Sequence, residues 1–282
     1  MTEQSLAERG RPLQGAPWTL VSGLGSACLL LAVGASGPTY EQETSSADQV
    51  TACVEANAPK RTMKQRLELE SVDRTGEKSS MKLKLEWKRG EDGLAKMVMR
   101  ISSPPGVRGT AFLMVGQEGG ENDLFTYLPE VGRVRRITSR MTSGSLFGSD
   151  FSYEDVEHLQ RIADAGSSKR IPDAEAEGRT AYVLEGTPDP ASGSAYTRIV
   201  SYIDRERCTP LRIDFYEDDE IRKRLTAPPE KVVQENGIWI PYELSITDSE
   251  EETRSVMRIE EVELDVDIPD GHFSQGALER RR

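Results

Sequence analysis

"MKLKLEWK", residues 81–88, decides the fold class of this chain. Met81, Leu83, Leu85 and Trp87 stand at alternate positions, with Lys82, Lys84, Glu86 and Lys88 between them. Successive side chains of a strand point to opposite faces, so the octet has one apolar and one charged face. Immediately upstream, "TMKQRLELE" (62–70) keeps Met63, Leu67 and Leu69 on one parity, and "RTGE" (74–77) supplies a glycine-containing turn. Two such strands read as a hairpin with one wet face.

The pattern extends outward from this hairpin. "LAKMVMRIS" (94–102) aligns Ala95, Met97, Met99 and Ile101, and "TAFLMV" (110–115) and "LFTYL" (124–128) follow. Further on come "TAYVLEG" (180–186), "YTRIVSYID" (196–204), "PLRIDFY" (210–216), "IRKRLTA" (221–227), "IWIPYEL" (238–244) and "SVMRIEEVELDV" (255–266). Turns at Glu217–Glu220 and Gln234–Gly237 separate several of them. About a dozen antiparallel strands imply one sheet that curls on itself, because open twisted sheets rarely exceed about ten. Helical signals are few. Val50, Cys53 and Val54 are at helical spacing within Ala47–Asn57, and "SYEDVEHL" (152–159) opens on Ser152 as an N-cap. Residues 161–178 read as a polar excursion between strands. The fold class is therefore mainly β with a few helices (α+β).

With 282 residues, 36% of them hydrophobic, the chain has enough apolar material for one large domain or two small ones. Its formal net charge of -12 argues against a general nucleic-acid binder, which needs a basic face. The one long apolar run, Trp18–Val33, follows Arg9 and Arg11 and ends in small residues. That is the pattern of a signal peptide over residues 1–35, an uncleaved anchor being the alternative. Lipidation of Cys28 is disfavoured because Gly25 stands where a lipobox wants leucine. A polar linker (36–46), a domain (47–278) and a basic tail (279–282) complete the division. Cys53 and Cys208 remain outside the leader; in an oxidising compartment they permit a disulfide, and they serve equally well as two buried thiols.

Catalytic chemistry is hard to find. His158 and His272 have no neighbouring cysteine or second histidine, so structural roles are expected of both. Patterns for zinc hydrolysis, phosphate cradling or a nucleophile elbow do not occur, and no catalytic residue, metal or cofactor is assigned. Met81, Met97 and Met99 form a methionine stripe beside Trp87, suited to variable apolar partners and equally to ordinary core. A second oddity is "YLPEVGRVRRITSRMTSGSLFGSDFSYEDV" (127–156), where Arg133, Arg135, Arg136 and Arg140 lead into a Ser/Gly-rich loop bearing Leu146, Phe147, Phe151 and Tyr153.

"GVRGTAFL" (106–113), "YLPEVGRVRRI" (127–137) and "GSLFGSDFSYED" (144–155) resemble successive hallmarks of the outer-membrane lipoprotein-sorting protein family, its LolA-like branch. "NGIWIPYELSI" (236–246) and the ending "VDIPDGHFSQGAL" (266–278) resemble it too, and the likeness runs from about Ala47 to Leu278. Cys208 and the polar 163–178 segment depart from the family pattern. The resemblance implies a half-open antiparallel barrel of about eleven strands around a few helices, with an apolar cavity for acyl chains. It implies a periplasmic carrier, not an enzyme, with lipoprotein acyl chains or phospholipid as cargo. An envelope transporter or outer-membrane acceptor would be its partner, and nucleic acid would not. Rival readings are a soluble partner of an envelope complex that carries no cargo, and an envelope hydrolase. On the carrier reading Leu67, Leu69, Met81, Leu83, Leu85, Trp87, Met97 and Met99 line the cavity. Leu146, Phe147, Phe151 and Tyr153 form either a lid hinged at Gly144 and Gly148 or a permanent plug. Arg133, Arg135 and Arg136 contact a head group or partner, or pair with Asp150, Glu154 and Asp155 when the lid is shut.

Overall fold

The hairpin read from residues 62–88 is the middle of a long sheet. In the computed structural model, which describes residues 46–118, 122–162, 168–189 and 192–280, strands β1 (Thr62–Val72) and β2 (Lys78–Arg89) pair over their full length. The leader, most of the linker and residues 281–282 of the tail lie outside the described residues.

From β2 the chain meanders outward through β3 (Ala95–Ser103), β4 (Ala111–Gly116), β5 (Asn122–Leu128) and the edge strand β6 (Arg133–Ile137). The opposite half runs inward from the other edge: β7 (Ser168–Ala176), β8 (Arg179–Gly186), β9 (Arg198–Asp204), β10 (Pro210–Glu217) and β11 (Glu220–Thr226). A separate two-stranded ribbon, β12 (Val232–Glu235) and β13 (Ile238–Pro241), interrupts this half before β14 (Glu243–Asp248) and β15 (Thr253–Leu264). The last strand pairs with the first, joining the halves in the order β6-β5-β4-β3-β2-β1-β15-β14-β11-β10-β9-β8-β7.

The main sheet thus has 13 strands, more than the eleven expected, and its edges β6 and β7 do not meet to close a barrel. It nevertheless curls. In α2 (Tyr153–Arg161), the Tyr153 ring lies tilted against Phe112 of β4 at 5.2 Å and the His158 ring meets Phe215 of β10 edge-on at 5.8 Å. Seven strand spacings separate β4 from β10, about 34 Å in a flat sheet, whereas a nine-residue helix spans about 13 Å. One short helix touches both strands because the sheet wraps around it. Ser152 caps α2 as predicted, in a reciprocal capping box with Asp155. Ser46 and Gln49 do the same for α1 (Ala47–Ala56).

Two departures from the sequence expectation have clear causes. "TAFLMV" does not alternate because Ala111 to Met114 are buried on both faces. Phe112 and Met114 join the inner core, and Ala111 and Leu113 pack outward against Ile268, Phe273 and Leu278 of the C-terminal segment. That segment ends in a third helix, α3 (Gln275–Glu279), whose Ala277 and Leu278 carbonyls accept from Arg100, both at 3.1 Å. The polar excursion is also partly strand: β7 lies within it. An edge strand has one neighbour, so a polar sequence and Pro172 are tolerated there.

Candidate functional site

The concave side of the curled sheet is apolar because period two puts one parity of β1, β2 and β3 inside. Leu67, Leu69, Leu83, Trp87, Met97 and Met99 are at most 3% exposed. A cavity of about 270 Å³ lies between part of this face, α1, α2 and the β12–β13 ribbon. Of the residues predicted to line it, Leu67, Leu85, Trp87, Met97 and Met99 face the cavity. Leu69 and Leu83 are in solid core instead, and Met81 is a partly buried residue packed against that core. The Leu69–Met81 pair lies nearer the β1–β2 turn than Leu67, while Leu83 sits directly opposite Leu67 without lining the cavity.

Several walls come from residues that the sequence did not assign to the cavity. Ile238 to Pro241 of the ribbon line the cavity, with Trp239 and Ile240 among them. An Asn-Gly pair makes this ribbon: Asn236 and Gly237 have φ of 48° and 88°, the left-handed backbone of a tight hairpin. Val54 from α1 and Val156 and Leu159 from α2 supply helical walls. Cys208 and Thr209 supply another. Cys208 is bonded to Cys53 with a Cα–Cα distance of 5.5 Å, so a disulfide fastens α1 beside the cavity. Of the two alternatives left by the sequence, the disulfide is the one formed.

The Ser/Gly loop reaches the site through Phe151, fully buried and lining the cavity. Leu146 is equally buried, Tyr153 is half-buried, and Phe147 is packed only partly against the core. The loop is closely tied. Leu146 N donates to Phe151 O at 2.7 Å, and Ser145 Oγ donates to Ser149 O at 2.6 Å. Asp150 is anchored to β15: its carboxylate accepts from Thr253 and Ser255, and its carbonyl accepts from Lys223 Nζ at 2.7 Å. Of the two expected hinges only Gly148 has left-handed backbone, with φ 80°, and Phe147 before it shares that region at 57°. At Gly144 a Cβ would come within 3.0 Å of Met141 O, so close approach accounts for that glycine.

The expected pairing of the arginines with the loop acids is not made. Glu154 accepts from Ser194 and Ala195, and burial pushes its carboxyl above the usual range. Asp155 is wholly buried and accepts from Tyr196 Oη at 2.7 Å, Ser152 N at 2.7 Å and Lys223 Nζ at 3.3 Å. Burial, reinforced by the adjacent Asp155 charge, pushes the Tyr196 hydroxyl far up. Lys223 is the cation this network uses. Arg133, Arg135 and Arg136 are exposed on the edge strand β6, where Arg136 pairs with Asp123, and none of the three lines the cavity. His158 is held near Ser201 Oγ at 3.2 Å, with burial lowering its imidazole to about 4. His272 meets Glu86 at 2.7 Å on the other side of the sheet.

Solved structures similar to this chain include three from other bacteria. A putative outer membrane lipoprotein-sorting protein domain from Vibrio parahaemolyticus superposes with a TM-score of 0.74 at 24% identity, covering 83% of this chain and 98% of that one. A DUF1329 family protein from Desulfovibrio piger gives 0.75 at 23% identity over 82% and 97%. A LolA superfamily protein from Nitrosomonas europaea gives 0.64 at 19% identity over 83% and 100%. The fold is LolA-like. No curated protein matches the chain in sequence. A family model described as an uncharacterized protein matches residues 93–280.

Proposed function

We propose that this chain, which belongs to the uncharacterized-protein family matched over residues 93–280 and is LolA-like in fold, is a periplasmic carrier of acyl chains. The cargo is a lipoprotein's acyl chains or a phospholipid, taken into the cavity behind the β12–β13 ribbon. One observation carries this reading: the cavity is bounded by Leu67, Leu85, Met97, Met99 and Ile240, aliphatic and thioether side chains that solvate a hydrocarbon chain. No helix among the described residues is long and apolar enough to cross a membrane. Export by the N-terminal leader, and retention or cleavage of that leader, belong to the same proposal.

The test is extraction. Protein purified from its native envelope under detergent-free conditions is expected to bring about one equivalent of acyl lipid, and the delipidated protein to take up a fluorescent fatty acid saturably. Absence of both sinks the carrier reading. A second reading, a docking protein without cargo, is favoured by the free edge of β6 and the exposed Leu128 and Val131 beside it. It predicts no lipid and a partner protein captured through that edge.

A further inference from the structure

Three elements that wall the cavity are tied to one another in pairs: α1, the β9–β10 turn (205–209) and the β12–β13 ribbon. The Cys53–Cys208 disulfide joins α1 to the turn. Asn57, the C-cap of α1, and Trp239 of β13 hydrogen-bond in both directions, joining helix to ribbon. Arg207 completes the triangle from turn to ribbon. Its Nη1 donates to Pro229 O at 2.7 Å, just ahead of β12, and its guanidinium lies 5.1 Å from the Trp239 ring centroid. Moving any one of the three elements away from the other two breaks two ties at once.

The remaining walls are held as well. β2 is paired on both sides, by β1 and β3, and α2 is fastened through Glu154 to Ser194 and Ala195 and through Asp155 to Tyr196 and Lys223. Packed interiors move between discrete arrangements and do not stretch continuously, so walls held at this many points keep the volume between them. That volume then bounds what enters. A cavity of about 150 Å³ takes a six-carbon ring such as benzene, so one of about 270 Å³ takes in proportion about eleven carbons. One acyl chain fills it. A second chain would need the same volume again, and a third twice over.

We infer that the cavity admits one acyl chain and that the three ties set this limit, so that the ligand is a single-chain amphiphile, a fatty acid or a lysophospholipid. The inference rests on the carrier reading and narrows its cargo: a diacyl phospholipid does not fit, and a lipoprotein could insert no more than one of its chains.

The first experiment titrates the delipidated wild type with saturated fatty acids of increasing length, displacing the fluorescent probe N-phenyl-1-naphthylamine. Affinity is expected to rise about fourfold per methylene while the chain fills the cavity, and to level off near about twelve carbons. A rise that continues to stearic acid overturns the inference. So does a saturated complex holding two or more laurates by native mass spectrometry. The second experiment offers 1-lauroyl-lysophosphatidylcholine and vesicles of dilauroylphosphatidylcholine, which share head group and chain length. The wild type is expected to take up the lysolipid and at least about tenfold less of the diacyl lipid. Asn57→Ala combined with Cys53→Ser and Cys208→Ser cuts two of the three ties and should take up both, showing that extraction from the vesicle is not what limits the wild type. Equal uptake by the wild type, or a variant folded by circular dichroism that still excludes the diacyl lipid, overturns the inference. If the variant does not fold, the chain-length series in the wild type decides. Binding of laurate without the lysolipid assigns the free acid as ligand, and the reverse assigns the lysolipid. A wild type that binds neither the probe nor any single-chain lipid refutes the carrier reading itself, an outcome distinct from binding without a limit on chain number.

Discussion

Asn57 and Trp239 hold each other by a reciprocal pair of hydrogen bonds, Asn57 Nδ2 donating to Trp239 O at 2.9 Å and Trp239 N to Asn57 Oδ1 at 2.7 Å. The side chain of the C-cap of α1 thereby substitutes for a strand neighbour of the ribbon, and both residues line the cavity. Asn57→Ala leaves both ribbon groups unpaired and is expected to cost about 1–3 kcal/mol in stability. Release of a bound fluorescent fatty acid should accelerate as well, because the ribbon then opens more often. Stopped-flow displacement checks this; an unchanged release rate would place the exit path elsewhere.

The Cys53–Cys208 disulfide closes a loop with a sequence separation of 155 residues. Chain-entropy reasoning gives about 4–5 kcal/mol for loops of such length, with measured cases spanning about 2–5. Cys53→Ser combined with Cys208→Ser should lower the urea midpoint correspondingly, and reductant should then have no further effect. A midpoint equal to that of the oxidised wild type would contradict the bond's structural weight.

Phe151 and Phe147 are expected to behave differently although only three residues separate the two codons' products. Phe151 is fully enclosed, so Phe151→Ala should cost about 3–5 kcal/mol. Phe147 is partly buried with left-handed backbone, and Phe147→Ala should cost less than half as much. Thermal denaturation of the pair decides it. Similar losses would mean that Phe147 is a plug of equal importance.

Leu85 is 6% exposed on the cavity wall. Leu85→Glu places a carboxylate where acyl chain is proposed to lie, and desolvating it should abolish fatty-acid uptake. Circular dichroism must show a folded protein for the result to count. A folded variant that still takes up lipid would exclude this wall from the binding surface.

His158 carries an acid-sensitive share of the stability. Burial holds its folded pKa at about 4, below the ordinary value, with Asp155 working the other way and Arg161 with it. Above about pH 6.5 the ring is neutral in both folded and unfolded chains. As pH falls from about 6.5 toward 4, only the unfolded chain takes up the proton, and stability drops by about 2–3 kcal/mol. His158→Gln should flatten that limb of the stability–pH curve; an unaltered slope would assign it to the carboxylates.

Parity made much of the inner wall legible. Leu67, Leu85, Trp87, Met97 and Met99 could be placed on one face because a strand's period is two whatever its partners are. The same parity put Leu69, Leu83 and Met81 on that face without saying how far along it the cavity extends, which depends on where α1, α2 and the ribbon rest. Ser152 was readable as a cap because capping is local chemistry. The pairing of Cys53 with Cys208, of Lys223 with Asp155 and of Asn57 with Trp239 joins residues far apart in the chain, and no local pattern encodes such meetings. "TAFLMV" hid its two-sided burial because the covering segment, around Phe273, arrives after all the strands.

The seam between β1 and β15 sets the order in which this molecule is able to mature. Met63 faces Leu264 and Leu69 faces Met257, so the middle of the sheet is stitched from its first and last strands. A ribosome delivers β1 early and β15 late, and each arc of the sheet has a raw central edge until the final strand emerges. Such a delay exposes Leu67, Leu69 and their neighbours to other chains, the circumstance in which slow, non-local β topologies aggregate. A chaperone that shields the β1 edge would therefore act on β1–β6 as a waiting intermediate, and truncation before Thr253 should leave that intermediate permanently unfinished.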